Sequence, residues 1–385
     1  MSTGSPTPID TAAASTLPSL TRRRALMGAA ALLAPWTPRL AGADAATTVA
    51  AAGPIMLNGN ENPYGPSPAA RQAILASAGT APRYADASID ALKSQIAARE
   101  GVATSQVAIG TGSGELLRMA GLLALLGGSG GELVAARPTY EELPEFAARL
   151  GMQVRWVAPD VQHRHDLPAM RAAITAQTRM VYVCNPNNPT GAAVTSEALS
   201  AFVRSVPAGV AVVVDEAYID FVDQPGVGPA TALVGQVPNL IVLRTFSKIH
   251  GLAGLRVGYG ISSPAIAQRL ADLSLTWPNS PGIDAAIASY NDHAFLRATR
   301  AAILADRTRV QAQLDRLGRK HSDAQGNFVF FDTGGPLKQF QDRMLAQGIK
   351  VGRHFDGYDT WARVTIGLRQ EVDRFLAVLP GALGA

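Results

Sequence analysis

The sequence predicts an α/β protein with a large, mostly parallel sheet and a smaller α+β domain near its C-terminus. Two observations carry this. From about Val49 onward, short β-branched runs alternate with amphipathic helical stretches. The runs are apolar throughout rather than at every second residue, which is the pattern of strands buried on both faces by crossover helices. Toward the C-terminus this repeat gives way to isolated strands and helices, so the architecture changes there.

The buried runs are 107–110, 132–136, 180–184, 210–214 and 240–243. Helical stretches such as 114–126 and 195–206 lie between them and make repeated strand–helix units. Farther on come a run at 326–332, a helix over 337–347, strands at 349–352 and 361–366, and a helix over 371–379. A helix over 88–99 is a candidate to pack with this last part, which would insert the large domain between two pieces of a small one. The expected division is a leader over 1–43, an arm and the start of the small domain over 44–83, the large domain over 84–285 and the small domain over 286–385.

At 385 residues, 47% hydrophobic and 17% charged, the chain is globular and long enough for two domains. Its formal charge is +4; four arginines against Asp10 supply +3 of this within residues 1–43, leaving about +1 for the rest. That balance gives no basis for a nucleic-acid partner. The single cysteine, Cys184, cannot form an intrachain disulfide and reads as a small buried hydrophobe. His163 and His165 flank Arg164 without further ligands, so no metal site is expected.

The first residues read as a targeting segment. Arg22, Arg23 and Arg24 precede an apolar stretch at 25–34, and Ala41-Gly42-Ala43 offers a cleavage site. The stretch is too short to span a bilayer. Paired arginines in this position resemble a twin-arginine signal, so a periplasmic location is expected; without a working signal the protein stays cytoplasmic.

Chemistry is concentrated at strand ends, where open α/β sheets bind ligands. Gly110-Thr111-Gly112-Ser113-Gly114-Glu115 turns straight into a helix, and its free N–H groups suit an anion such as phosphate. It differs from the dinucleotide fingerprint, and a tight structural turn is an equal reading of this motif alone. Asn185-Pro186-Asn187-Asn188-Pro189-Thr190-Gly191 makes a rigid loop after the third run. Asp215-Glu216-Ala217-Tyr218 puts a carboxylate at the mouth of an apolar strand, where it needs a partner such as a protonated ring nitrogen. In Ser247-Lys248 and Arg256, a desolvated lysine supplies a usable amine and an arginine grips phosphate.

These parts together meet the requirements of pyridoxal 5'-phosphate (PLP). Asn60-Glu61-Asn62-Pro63-Tyr64-Gly65-Pro66, the Asn185–Gly191 loop, Asp215–Tyr218, the Ser247-Lys248 segment and Arg363-Val364-Thr365-Ile366-Gly367 are five ordered motifs that resemble those of the fold-type I PLP-dependent aminotransferases, and among them the histidinol-phosphate aminotransferase group. The resemblance covers nearly the whole chain after the leader. It implies a fold with a large mixed, mostly parallel sheet domain and a smaller α+β domain. Lys248 would hold PLP as a Schiff base and move the proton at Cα. Asp215 would keep the pyridinium charged, Asn188 and Tyr218 would bond the phenolate oxygen, and Tyr140 would stack on the ring. Ser113, Gly114, Ser247 and Arg256 would bind the cofactor phosphate. Tyr84 would reach the phosphate of a neighbouring subunit, which implies a homodimer with shared sites. Arg363 would take the substrate carboxylate, Arg353 a second anionic group, and Asn62 and Tyr64 would also meet substrate.

The implied reaction is ping-pong exchange of an amino group between 2-oxoglutarate or glutamate and a second substrate, histidinol-phosphate-like or aromatic. Another fold-type I activity, such as a β-lyase, racemase or amino-acid oxidase, uses the same lysine and aspartate. A non-catalytic PLP or amino-acid binder and a nicotinamide oxidoreductase are further alternatives. His250, two residues after the lysine, reads as a packing residue before a catalytic one.

Overall fold

The computed structural model describes residues 53–126, 128 and 130–384; the leader expected over 1–43 lies outside them. After a short strand β1 (Ile55–Leu57) and helices α1 (Pro68–Ser77) and α2 (Asp86–Glu100), the chain enters a seven-stranded sheet. Its strands are β2 (Val107–Gly110), β3 (Glu132–Ala136), β4 (Gln153–Val157), β5 (Thr178–Cys184), β6 (Ala211–Asp215), β7 (Leu240–Thr245) and β8 (Gly258–Ser262). Helices α3 (Ser113–Leu125), α4 (Glu142–Arg149), α5 (Leu167–Ala172) and α6 (Ser196–Ser205) connect the first five of these. The order across the sheet is β2-β8-β7-β6-β5-β3-β4, and β8 alone runs antiparallel to its neighbours.

The expected parallel core follows from the side-chain alternation. On β5, Val181 and Val183 enter one apolar layer with Val212 and Val214 of β6. Met180, Tyr182 and Cys184 enter the layer on the opposite face with Val213. Each fully buried aliphatic side chain contributes about 1.5–3 kcal/mol relative to exposure. Two-sided burial therefore fixes the register, because a one-residue slip would exchange the layers. Cys184 is buried, as its reading as a small hydrophobe requires.

Helices α7 (Pro264–Asp272), α8 (Ser280–Asn291) and the 24-residue α9 (His293–Arg316) follow the sheet. The remaining elements are β9 (Phe328–Asp332), α10 (Leu337–Ala346), β10 (Ile349–Val351), β11 (Trp361–Thr365) and α11 (Arg369–Leu383). A third apolar cluster gathers Ile303, Phe331, Phe340, Val364 and Phe375 with Leu57 of β1. β1 pairs with β10 in parallel, and β9 pairs with β11 antiparallel.

Two expectations about packing are corrected. Helix α2 does not pack with the C-terminal elements. Leu92, Ile96 and Ala97, with Ile89 beside them, join the layer formed by Val212 and Val242 on the main sheet. Their spacing gives one apolar face, and that face meets the sheet beside α8. The expected boundary at 285/286 falls inside α8, whose Ile283, Ala286 and Tyr290 belong to the same layer.

Candidate active site

The C-terminal ends of β5, β6 and β7 meet the turn from β2 into α3 around a cavity of about 330 Å³. Ser113, Gly114, Tyr140, Asn188, Tyr218, Ser247, Lys248, Arg256, Arg353 and Arg363 all line it, as do Asn60 and Glu61.

The phosphate-type cradle depends on missing side chains. A Cβ on Gly112, which has φ +85°, would lie 2.3 Å from Arg256 Nη2; one on Gly258 would lie 2.4 Å from the Ser113 nitrogen. Bare backbone at both positions lets the N-terminus of α3, Arg256 and β8 converge. Arg256 is in the left-handed region at φ +55°. Its Nη1 donates to Ala253 O at 2.8 Å and Ser247 Oγ at 3.4 Å. Among the described residues the Arg256 guanidinium thus meets neutral oxygens, which leaves its charge for an anion at the end of α3.

The asparagine loop divides its labour. Asn185 exchanges hydrogen bonds with Val194, and Asn187 donates to Pro138 O and Thr190 Oγ1 while accepting from Thr139 Oγ1. These bonds make the loop rigid and leave Asn188 at the cavity, where its Oδ1 accepts from Arg363 Nη1 at 2.7 Å.

The two acids that end β6 also part ways. Glu216 is buried and pairs with Arg244, which also pairs with Glu100; this ties the ends of β6 and β7 to α2. Asp215, 1% exposed, accepts from Tyr182 Oη and from the Ala217 nitrogen, each at 3.1 Å. Burial raises its pKa to about 6 against those two hydrogen bonds and the charge of Lys248. A buried carboxylate with no ion-pair partner among the described residues is one that a cationic ligand group would stabilise in its charged form.

Lys248 Nζ donates to the Asn60 carbonyl at 3.1 Å and lies 5.5 Å from the centre of the Tyr218 ring. Burial, then the charge of Arg363, lowers its pKa to about 8. A minor fraction of the amine is therefore neutral and nucleophilic just above neutral pH, rising to half near pH 8. Tyr218 Oη accepts from Asn60 Nδ2 at 3.1 Å, and burial pushes its pKa up. Arg363, 8% exposed, donates from Nη2 to Asn58 O at 2.6 Å. Arg353 lies at the mouth, over the Phe355 ring, and pairs with Glu141 next to Tyr140.

A family model described as aminotransferase class I and II matches residues 52–379. The chain belongs to this family. A histidinol-phosphate aminotransferase of Moorella thermoacetica is 40% identical over 332 residues, spanning 84% of this chain and 84% of that protein. An aromatic amino acid aminotransferase of Streptomyces avermitilis is 38% identical over 335 residues, 86% of this chain and 91% of that protein. Among solved structures, the histidinol-phosphate aminotransferase of Sinorhizobium meliloti in complex with pyridoxal-5'-phosphate superposes with a TM-score of 0.81 at 29% identity. It covers 86% of this chain and 91% of that one.

This aminotransferase therefore has the fold-type I architecture, and its cofactor is PLP. The residues present fit that cofactor. The cradle offers Ser113, Ser247 and Arg256 to a phosphate; the unpaired Asp215 suits a protonated ring nitrogen; Asn188 and Tyr218 present polar groups beside Lys248. The half-exposed Tyr140 borders the same space.

Four sequence-predicted residues are not among those lining the cavity: Asp215, buried at the end of β6 next to the lining Ala217 and Tyr218, and Asn62, Tyr64 and Tyr84. Asn62 donates from Nδ2 to Ile249 O at 2.7 Å and accepts from the Tyr64 nitrogen at 3.0 Å. Its amide holds the lysine segment, and in this chain Asn62 stands outside the residues that line the cavity. Tyr64 packs against the third apolar cluster instead of the cavity. Tyr84 is 83% exposed and stacks loosely on Trp277 at 5.9 Å between ring centroids, outside this chain's own cavity. His250 is buried between Phe246 and Tyr290, within hydrogen-bond distance of Ser289 Oγ, and burial lowers its pKa to about 3; it packs as expected.

Asn60, Glu61, Tyr182 and Thr365 escaped the sequence reading. Asn60 and Glu61 stand inside the first of the five motifs, and Asn60 adopts φ +53°, a conformation asparagine tolerates better than most residues. Thr365 stands inside the last of the five, two residues after Arg363; nothing local marks Tyr182.

Proposed function

We propose that this aminotransferase exchanges an amino group between 2-oxoglutarate and a histidinol-phosphate-like or aromatic amino compound, in two successive half-reactions. The observation that carries the reading is the placement of two arginines on one cavity with Lys248: Arg363 in its buried wall and Arg353 at its mouth. Two cations at different depths suit a dianionic oxo acid, and the outer one suits a substrate phosphate. The relatives named for histidinol phosphate and for aromatic amino acids support the choice of second substrate.

The bound cofactor supplies an electron-accepting ring that stabilises negative charge at the substrate Cα. Asp215 holds the proton on the ring nitrogen, Tyr218 and Asn188 hold the ring oxygen, and Arg363 orients the substrate carboxylate. Lys248 Nζ, once free, takes the proton from the substrate Cα, a task suited to an amine whose pKa lies near neutrality. Tyr140 flanks the ring and limits the approach of water.

The exposed Tyr84 supports a homodimer in which it completes the partner's site. The paired arginines of the leader support export to the periplasm. A screen of amino donors without an acceptor, read by formation of pyridoxamine phosphate, tests the substrate; histidinol phosphate, aromatic amino acids and glutamate are expected to react. Cell fractionation tests export, and full-length protein in the cytoplasm would contradict it.

A further inference from the structure

A chain of hydrogen bonds with a fixed direction runs from β11 to the cavity. Thr365 Oγ1 accepts from the Asn60 backbone N–H at 2.9 Å and lies 3.1 Å from Asn60 Oδ1. A hydroxyl has one proton to give, and with the N–H bound at its lone pair that proton goes to Oδ1. The Asn60 carboxamide is thereby oriented. Its Nδ2 faces Tyr218 Oη at 3.1 Å, and an amide nitrogen only donates. Tyr218 therefore accepts at this contact and must direct its own proton elsewhere. Among the described residues no acceptor takes it, and the residue lines the cavity.

We propose that Thr365 and Asn60 are positioning residues that lock Tyr218 as a hydrogen-bond donor into the cofactor cavity, and so lower the pH at which the bound cofactor gives up its proton. This rests on the assignment of Tyr218 to the ring oxygen of PLP. The backbone of Asn60 serves the same arrangement. Its left-handed φ of +53° turns its carbonyl to Lys248 Nζ and Asn327 Nδ2, each at 3.1 Å, while its side chain bridges Thr365 and Tyr218. One residue thus fixes both the amine and the phenol. Without the Thr365 hydroxyl the carboxamide is free to turn its oxygen toward Tyr218 and capture the phenol proton. The cofactor's oxygen then loses a donor, and its negative form is less favoured.

The test uses the holoenzyme without substrate, following the visible absorbance of bound PLP across pH. T365V is expected to raise the midpoint of the absorbance change by about one pH unit, and T365S to restore it. N60G keeps the left-handed backbone without strain and removes the Nδ2 donor that holds Tyr218 Oη, so the phenol proton is no longer aimed at the cavity; it is expected to move the midpoint in the same direction, by less than T365V. If T365V does not fold, N60G and T365S carry the comparison. Y218F is the reference. A midpoint unchanged in N60G and T365V but raised in Y218F would overturn the relay alone. A midpoint unchanged in Y218F would overturn the assignment of Tyr218 to the cofactor, and the relay with it.

Discussion

Arg363 Nη1 donates to Asn188 Oδ1 across 2.7 Å, joining the residue assigned to the substrate carboxylate with one assigned to the cofactor. With Oδ1 accepting from Arg363, Asn188 keeps both amide N–H groups for another partner. Arg363→Lys keeps a charge but loses the fork that reaches Asn188 and Asn58 together. It is expected to lower kcat/KM for carboxylate substrates about 10–100-fold, measured by steady-state kinetics with glutamate and 2-oxoglutarate.

Asp215 links function to stability. Burial raises its pKa from 3.8 to about 6, so the folded apoprotein binds this proton more tightly than the unfolded chain does. The contribution is fully present below pH 3.8 and is lost as pH rises through 6. Asp215→Asn removes that loss. The apo variant is expected to be more stable than wild type at pH 8 by about 1–3 kcal/mol, in denaturant titrations at pH 8 and pH 4, with little difference at the lower pH. The same change should reduce transamination by several orders of magnitude, because a neutral amide cannot hold the ring nitrogen protonated.

The capture of PLP by the apoenzyme should follow the neutral fraction of Lys248. With a pKa lowered to about 8, the second-order rate is expected to rise about tenfold per pH unit below this value and to level off above it, in stopped-flow absorbance measurements. Lys248→Ala should abolish turnover.

The Arg353–Glu141 pair at the mouth competes with substrate for the outer cation. Glu141→Gln releases Arg353, and the enzyme is then expected to saturate at severalfold lower concentrations of the oxo-acid acceptor 2-oxoglutarate. Arg353→Ala should instead require about tenfold higher concentrations. Steady-state kinetics read both changes, and a monocarboxylate acceptor assayed in parallel should show neither.

Much of the architecture and of the site is legible in the sequence, and the reasons are physical. The strands that end in chemistry are β-branched and buried on both faces, so both their position and their polar terminus stand out. β8 was hidden because Gly-Tyr-Gly-Ile-Ser has two glycines in place of an apolar run, and those glycines are there so that the cradle and β7 can approach. β4 lies at the sheet edge and carries Arg155 and the partly exposed Trp156. For α2 the sequence reveals an apolar face but not its partner. Asn62 and Asn60 look alike in the motif; which of them faces the cavity is decided by Ile249 and by Thr365, the latter 305 residues away. Asn62→Ala should accordingly leave KM for both substrates near wild type and cost about 1–2 kcal/mol of stability in urea denaturation.

The amine of Lys248 as the anchor of PLP is the claim on which the rest depends. The sequence has five lysines, the others being Lys93, Lys320, Lys338 and Lys350, so the anchor can be located directly. Borohydride reduction of the holoenzyme, followed by digestion and mass spectrometry, is expected to place one reduced cofactor per chain on the peptide containing Lys248. Stoichiometric label on any of the other four, with Lys248 unmodified, would contradict the account.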